Sequence, residues 1–190
     1  MRKNSGPRRE VVVLVMAFIV CAAVLGALIL KKYEERHLQP AAPPQPQLEG
    51  AFTATLLFAS PAGEGLVREG RELDACGDTA ECVAELVSEL VNGPIGDLVP
   101  TLPSATSVRG VEIAGDVARV DLGEELVEGL PAGSSAEMMA VYSIVDTVAV
   151  NFPRIKRVQL LIDGKPAETL KGHVDVREPL APDFELEKKP

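Results

Sequence analysis

The chain has 190 residues, a formal net charge of −9 at pH 7, no tryptophan and an aromatic content of 4%. A chain of this length has room for one hydrophobic core of ordinary size. The charge is unevenly distributed, because residues 1–48 carry a net charge of +4 and the remaining residues carry −13. Nucleic-acid binding depends on basic residues that displace counterions, so we expect no nucleic-acid partner for the acidic body.

The N-terminal segment is predicted to be a membrane anchor. Residues 1–10 are basic, and residues 11–30, from Val11 to Leu30, contain no charge. A helix of that length spans the roughly 30 Å hydrocarbon layer of a bilayer. A cleaved signal peptide, whose apolar region is usually only about 7–15 residues long, and a lipoprotein processed at Cys21 are the alternatives. The positive-inside rule favours a single-pass protein of the cytoplasmic membrane with its N-terminus in the cytoplasm.

A linker is predicted to connect this anchor to the folded domain. Residues 31–50 begin with charged side chains and continue with the sequence QPAAPPQPQ. Repeated proline removes backbone hydrogen-bond donors and favours an extended polyproline II conformation. We therefore expect this Pro/Gln-rich linker to hold the domain away from the membrane, on the periplasmic or cell-wall side.

The folded domain is predicted to cover residues 51–178 and to begin with two strands. Apolar and other residues alternate in FTATLLFA, residues 52–59, which is the pattern of a strand with one buried face. The sequence LVREGREL, residues 66–73, is predicted to be its partner strand. Two further strands, near residues 107–114 and 117–122, are predicted to be joined by a turn at Gly115-Asp116.

Two main helices are predicted, each from its N-terminal signal. Asp78 and Glu81 have the spacing of a capping box before the first helix, which ends at Asn92-Gly93-Pro94. Ser134 and Glu137 have the same spacing before the second helix, so we expect their side chains to satisfy N–H groups of its first turn. Residues 123–130, which precede the second helix, are predicted to form a short helical turn.

A C-terminal hairpin is predicted to complete the domain. Residues 155–162 alternate as a strand, and Asp163-Gly164 favours a tight turn because both residues accept positive φ. Residues 179–190 have few apolar side chains, so we expect a flexible tail. The predicted fold class is α+β, with a small mixed sheet and two main helices packed on it, preceded by the transmembrane helix and the linker.

A search for reactive groups gives no catalytic, cofactor-binding or metal-binding residue. Cys76 and Cys82 are the only cysteines outside the predicted anchor, and in an exported domain they would form a disulfide. Free thiols are the alternative. A zinc site would need two more ligands, and His173 is the only histidine in the folded part. The serines lack the sequence context of an activated nucleophile, and no glycine-rich phosphate loop is present.

The order of these elements resembles the GerMN domain family. The resemblance rests on three segments, ELVNGPIGDLVPTLPSAT, GVEIAGDVARVDL and IKRVQLLIDGKPAETLKGH, present once in this chain. It implies an α+β domain of membrane-anchored or lipid-anchored extracytoplasmic proteins associated with sporulation, germination and the assembly of cell-envelope complexes. The resemblance implies no catalytic residues.

Three functions are consistent with this sequence. The first is a non-enzymatic binding or assembly module that contacts a cell-envelope protein, the second is a glycan-binding or glycan-acting domain, and the third is a self-associating structural element. The candidate contact residues are basic side chains of the C-terminal hairpin region and a histidine that can change charge near neutral pH. They are Lys156, Arg157, Lys165 and His173.

Overall fold

The computed structural model describes residues 50–63 and 65–188, together with the isolated helical positions Val12, Met16 and Leu25. The chain divides into two compact units, residues 1–44 and 45–190. The predicted anchor and linker lie outside the described residues, apart from those three positions and Gly50. In the part of the chain that the structure describes, no helix is long and apolar enough to cross a membrane.

The described part of the second unit contains six strands, three α-helices and one 3₁₀ turn. The strands β1 to β5 and the two long helices lie close to the positions that the hydrophobic alternation and the capping signals predict. In chain order they are β1 (Phe52–Ala59), β2 (Leu66–Leu73), α1 (Thr79–Asn92), β3 (Val108–Ala114), β4 (Val117–Leu122), α2 (Glu125–Gly129), α3 (Ser134–Asn151), β5 (Arg157–Ile162), β6 (Lys165–Pro166) and the 3₁₀ turn (Phe184–Leu186).

The α+β class with two main helices is confirmed, but the strands form two sheets instead of the predicted single sheet. Strands β1 and β2 make an antiparallel pair along their whole length. The other sheet has the order β3-β4-β5-β6 and is mixed, because β4 and β5 are parallel and the other pairs are antiparallel. Helix α3 provides the crossover that a parallel pair requires.

Side chains of helix α3 explain why β1 does not join the second sheet. The amide of Asn151 accepts a hydrogen bond from the backbone N–H of Thr55 (2.8 Å) and donates one to its carbonyl (2.7 Å). The hydroxyl of Thr147 accepts a hydrogen bond from the backbone N–H of Leu57 (3.0 Å). These groups occupy the free edge of β1, where another strand would otherwise pair.

Both sheets and the two long helices share one hydrophobic core. Leu56 of β1, Leu86 of α1, Ile144 of α3 and Leu160 of β5 are almost completely buried in the same cluster. Complete burial of such a side chain contributes about 1.5–3 kcal/mol. This shared core fixes the orientation of the loops around it.

The two predicted capping boxes have different outcomes. At α1, the carboxylate of Asp78 accepts a hydrogen bond from the backbone N–H of Glu81 (2.9 Å), while the Glu81 carboxylate binds the N–H of Gly77 (2.6 Å). At α3, the prediction is wrong, because the N-cap residue is Gly133 and no side chain caps the helix. The side chain of Glu137 is completely buried instead.

The predicted hairpin turn has the expected backbone conformation, with φ of 48° at Asp163 and 76° at Gly164. Beyond it, the structure differs from the prediction of a flexible tail. The backbone of Leu180 exchanges two hydrogen bonds of 2.8 Å with Val158, and the N–H of Lys188 donates to the carbonyl of Leu66 (2.7 Å). Backbone groups supply this pairing, so the low apolar content of the segment does not reveal it.

Candidate functional site

Three of the predicted contact residues lie at the two ends of β5. Lys156 and Arg157 lie where β5 begins, where Lys156 Nζ donates to the carbonyl of Pro153 (2.6 Å) and Arg157 lies 3.6 Å from the Asp116 carboxylate. Lys165 pairs with Ile162 at the other end of β5. At about 3.3 Å per residue, the strand separates the two ends by roughly 17 Å.

Cys76 and Cys82 are joined as a disulfide, with their Cα atoms 5.3 Å apart. Cys82 lies in the first turn of α1 and is buried. The bond therefore ties the loop after β2 to the start of this helix.

We expect this disulfide to form in the cell if the domain is exported. Denatured protein treated with an alkylating reagent should then gain one adduct before reduction, at Cys21, and three after reduction. The double substitution Cys76→Ala, Cys82→Ala should lower the free energy of unfolding by about 2–3 kcal/mol, since the closed loop is short. Three adducts without reduction would show free thiols instead.

The fourth predicted contact residue, His173, takes part in a buried hydrogen-bond network around Glu137. The Glu137 side chain is completely buried in α3 and lies against the segment after β6. One carboxylate oxygen accepts hydrogen bonds from the backbone N–H groups of Leu170 and Lys171, both 2.9 Å. The other accepts from the N–H of His173 (2.8 Å) and lies 3.0 Å from its Nδ1.

This network decides the charge state of the carboxylate. Burial alone raises the pKa of Glu137, but hydrogen bonds from the backbone N–H groups of Lys171, His173, Val174 and Leu170 outweigh it and lower the pKa. An ionised Glu137 therefore fastens residues 170–174 to helix α3. The imidazole of His173 remains partly exposed beside it.

A second buried network surrounds Arg71 of β2, whose side chain is only 8% exposed. Its guanidinium binds the carboxylates of Glu89 and Glu69, each at 2.6 Å, and the carbonyl of Gly93 at 3.0 Å. Glu69 in turn accepts hydrogen bonds from the backbone N–H groups of Ile95 and Gly96. The network holds the turn that follows helix α1.

The segment positioned by this network, residues 93–101, is here named the Ile95 loop. Ile95 is 78% exposed at its tip, the highest value among the large apolar side chains of the described chain. Val99 exchanges backbone hydrogen bonds of 2.9 and 3.0 Å with Ala59 at the end of β1, and its side chain is also exposed. The loop is thus held at both ends and presents apolar side chains to solvent.

A groove of about 520 Å³ adjoins the Ile95 loop. Its walls include three prolines and three larger apolar residues, and none of the described residues that line it carries a charge. These six are Pro61, Pro100, Pro131, Val99, Leu130 and Met139. The start of helix α3 also borders the groove, through Gly133, Ser135 and Ala136. An uncharged groove in an acidic domain suits apolar contacts.

None of the predicted contact residues lies in the Ile95 loop, although the sequence contains one signal for it. Residues 94–106 follow the predicted end of the first helix and contain three prolines, and Ile95, between Pro94 and Gly96, belongs to no predicted helix or strand. A large apolar residue at the tip of a Gly/Pro turn is a candidate contact residue.

Within the described residues, no group of three or more His, Cys, Asp or Glu side chains could hold a metal ion.

Comparison with known proteins identifies a matching family and similar solved structures. A family model described as "Germane: Sporulation and spore germination" matches residues 55–168. A Clostridium perfringens protein described as a lipoprotein has a similar structure, with a TM-score of 0.52 and 23% identity over 75% of this chain and 93% of that one. The tandem GerMN domains of the sporulation protein GerM from Bacillus subtilis give a TM-score of 0.54 and 21% identity.

The second of these comparisons covers 69% of this chain and 46% of the tandem protein. At these identities the two structures show a common fold. Coverage of about half of the tandem protein corresponds to a single domain copy. No curated protein matches the chain.

Proposed function

The chain belongs to the Germane family, and we propose that its folded part is a binding and assembly module of the bacterial cell envelope. The predicted resemblance to GerMN domains, in single copy, is confirmed by the family match and the solved structures. Because the family is described by sporulation and spore germination, we propose that the complex which this module joins acts in one of those processes.

The proposed location is the outer side of the cytoplasmic membrane. In this proposal, residues 11–30 span the membrane, with the N-terminus in the cytoplasm, and residues 31–50 carry the domain outside. The exposed helical side chains of Val12, Met16 and Leu25 support a segment that needs an apolar environment. The disulfide between Cys76 and Cys82 supports an oxidising compartment.

The observation that carries the binding proposal is the exposed Ile95 on a loop held by buried polar groups. Protein contact sites concentrate their binding energy in a few apolar anchors that are positioned before the partner arrives. Ile95 has this form, because the Arg71 and Glu69 side chains fix the backbone beneath it. The adjoining uncharged groove extends the apolar surface.

The surface favours a protein partner that presents uncharged aliphatic side chains. Catalysis needs a nucleophile with a nearby base, or a titratable acid and base, at the site. The described residues that line the groove include hydroxyl groups, at Ser60, Thr101 and Ser135, but no ionisable base. We therefore propose binding as the activity of this surface.

Crosslinking in living cells tests this proposal. A photo-reactive residue at position 95 of the full chain should form adducts with a discrete envelope protein. The same photo-reactive residue in place of Lys165, an exposed position in the sheet β3-β4-β5-β6, should give no such adduct. Replacing Ile95 by aspartate should weaken binding to that partner at least about tenfold, since hot-spot residues contribute 2 kcal/mol or more.

Two outcomes would contradict this function. Equal adducts from positions 95 and 165 would show that the Ile95 loop is not the contact face. If the protein sediments with cell-wall glycan and the aspartate substitution does not change this, the surface proposal is wrong and glycan binding is the function.

A further inference from the structure

The segment of residues 179–188, here named the C-terminal strap, crosses from one sheet to the other. Leu180 pairs with Val158 at the edge of β5, and residues near Lys188 pair with Leu66 at the start of β2. Gly65 permits this approach, because a Cβ atom there would lie 2.4 Å from the carbonyl oxygen of Leu186. The strap therefore covers backbone groups on the edges of both sheets.

Between its two ends, the strap is attached to a buried carboxylate of helix α3. Asp146 has no solvent exposure, and its Oδ1 accepts a hydrogen bond from the backbone N–H of Asp183 (2.9 Å). Its Oδ2 is buried and accepts no hydrogen bond from the described residues. A buried carboxylate with one unsatisfied oxygen is costly when it is ionised and much less costly when it carries a proton.

The charges around Asp146 favour the protonated form. The strap contributes the negative carboxylates of Asp183 and Glu187, and the phenol of Tyr142, which is neutral in this pH range, lies nearby on α3. Arg68 of β2 is the opposing cation, and it is already paired with Glu187 at 2.8 Å. Strand β1, which packs against the same helix, has no titratable side chain.

Burial, together with the carboxylates of Asp183 and Glu187, raises the pKa of Asp146 to about 6. The hydrogen bond from the Asp183 N–H and the charge of Arg68 oppose this shift without cancelling it. The aspartate therefore titrates in the range where an ordinary exposed aspartate is fully ionised.

We propose that Asp146 is a pH-sensitive latch that holds the C-terminal strap when it is protonated and weakens its attachment when it is ionised. The attached state binds the proton more tightly than a released state in which water reaches Asp146. Attachment is therefore strongest below the ordinary aspartate pKa, near 4, and is lost progressively as the pH rises to about 6. From about one pH unit above that value, the weakening is complete and constant.

Release of the strap would have a defined structural consequence. The carbonyl of Leu66 and both backbone groups of Val158 would lose their partners. These groups lie on strand edges, where unpaired N–H and C=O groups accept another extended segment. The latch would thus control access to the two edges.

Amide hydrogen exchange tests the latch on the full chain in detergent micelles, at pH 5 and pH 7.5, with rates corrected for intrinsic exchange. The N–H groups of Leu180, Asp183 and Lys188 should lose about tenfold in protection at the higher pH, given the shift of Asp146 from an ordinary value to about 6. In Asp146→Asn this pH response should disappear. The control Asp175→Asn changes an exposed aspartate that pairs with Arg177, and should keep the response.

A direct titration keeps the proposal testable if Asp146→Asn does not fold. The carboxyl carbon of Asp146, followed by NMR in the unsubstituted chain, should titrate near 6, and the Asp183 amide signal should change with the same midpoint. Titration at an ordinary aspartate value would overturn the latch. Strap protection that does not change between the two pH values would overturn it as well.

Discussion

Replacing Glu137 by glutamine is expected to lower the free energy of unfolding by about 3 kcal/mol. The carboxylate is fully buried and receives backbone hydrogen bonds from Leu170, Lys171 and His173. Hydrogen bonds to a charged group contribute about 1.5–3 kcal/mol each, and a buried donor without a partner costs about 1–3 kcal/mol. Glutamine offers one acceptor and turns an N–H₂ group towards the remaining donors.

Urea unfolding of the full chain in detergent measures this effect, and its pH dependence gives a second check. The lowered pKa of Glu137 means that its contribution is complete above the pKa of an unfolded glutamate, about 4.3. The contribution is lost as the pH falls through the lower pKa of the folded state. The stability difference between the two proteins should therefore shrink below about pH 4.

The matched control is Glu85→Gln, which changes an exposed glutamate of helix α1. It should change the unfolding free energy by no more than about 0.5 kcal/mol. Equal effects at the two positions would show that the network around Glu137 does not stabilise the fold. A difference that stays constant down to pH 3 would show that ionisation of Glu137 is not its source.

Replacing Arg71 by methionine is expected to have an effect of similar size and to loosen the Ile95 loop. Removal of one partner from a buried ion pair costs about 3–5 kcal/mol, because the other charges remain without compensation. Here the carboxylates of Glu69 and Glu89 keep some contact with solvent, so we expect about 3 kcal/mol, at the lower end of that range. The lost bond to the Gly93 carbonyl should also raise amide exchange at Ile95 and Gly96.

Arg68→Met provides the control, three residues away on the same strand. Its side chain is 46% exposed and paired with Glu187, and an exposed ion pair contributes only about 0–1 kcal/mol. If both methionine variants unfold at the same urea concentration, the Arg71 network does not have the structural role assigned to it. If the amide exchange rate of Ile95 is unchanged in Arg71→Met, the Arg71 network does not hold the Ile95 loop.

The elements of this fold follow from local sequence patterns. The alternation in β1 and the Asp163-Gly164 turn depend on residues adjacent in the chain, so the sequence predicts them well. The same is true of Asp78, whose capping partner is three residues away. The family resemblance has the same origin, because it rests on the order and spacing of such local signals.

The tertiary structure decides which polar groups meet across the fold. Ser134 and Glu137 have the spacing of a cap, but Glu137 binds amides more than 30 residues away because the core brings them to the same buried face. Asn151 and Thr147 likewise close the edge of β1 from about 90 residues away and so separate the two sheets. Short-range patterns carry no information about partners that only folding brings together. For that reason the sequence alone determined the elements and the family of this protein, and the tertiary structure decided its two sheets, its buried carboxylates and its exposed Ile95 loop.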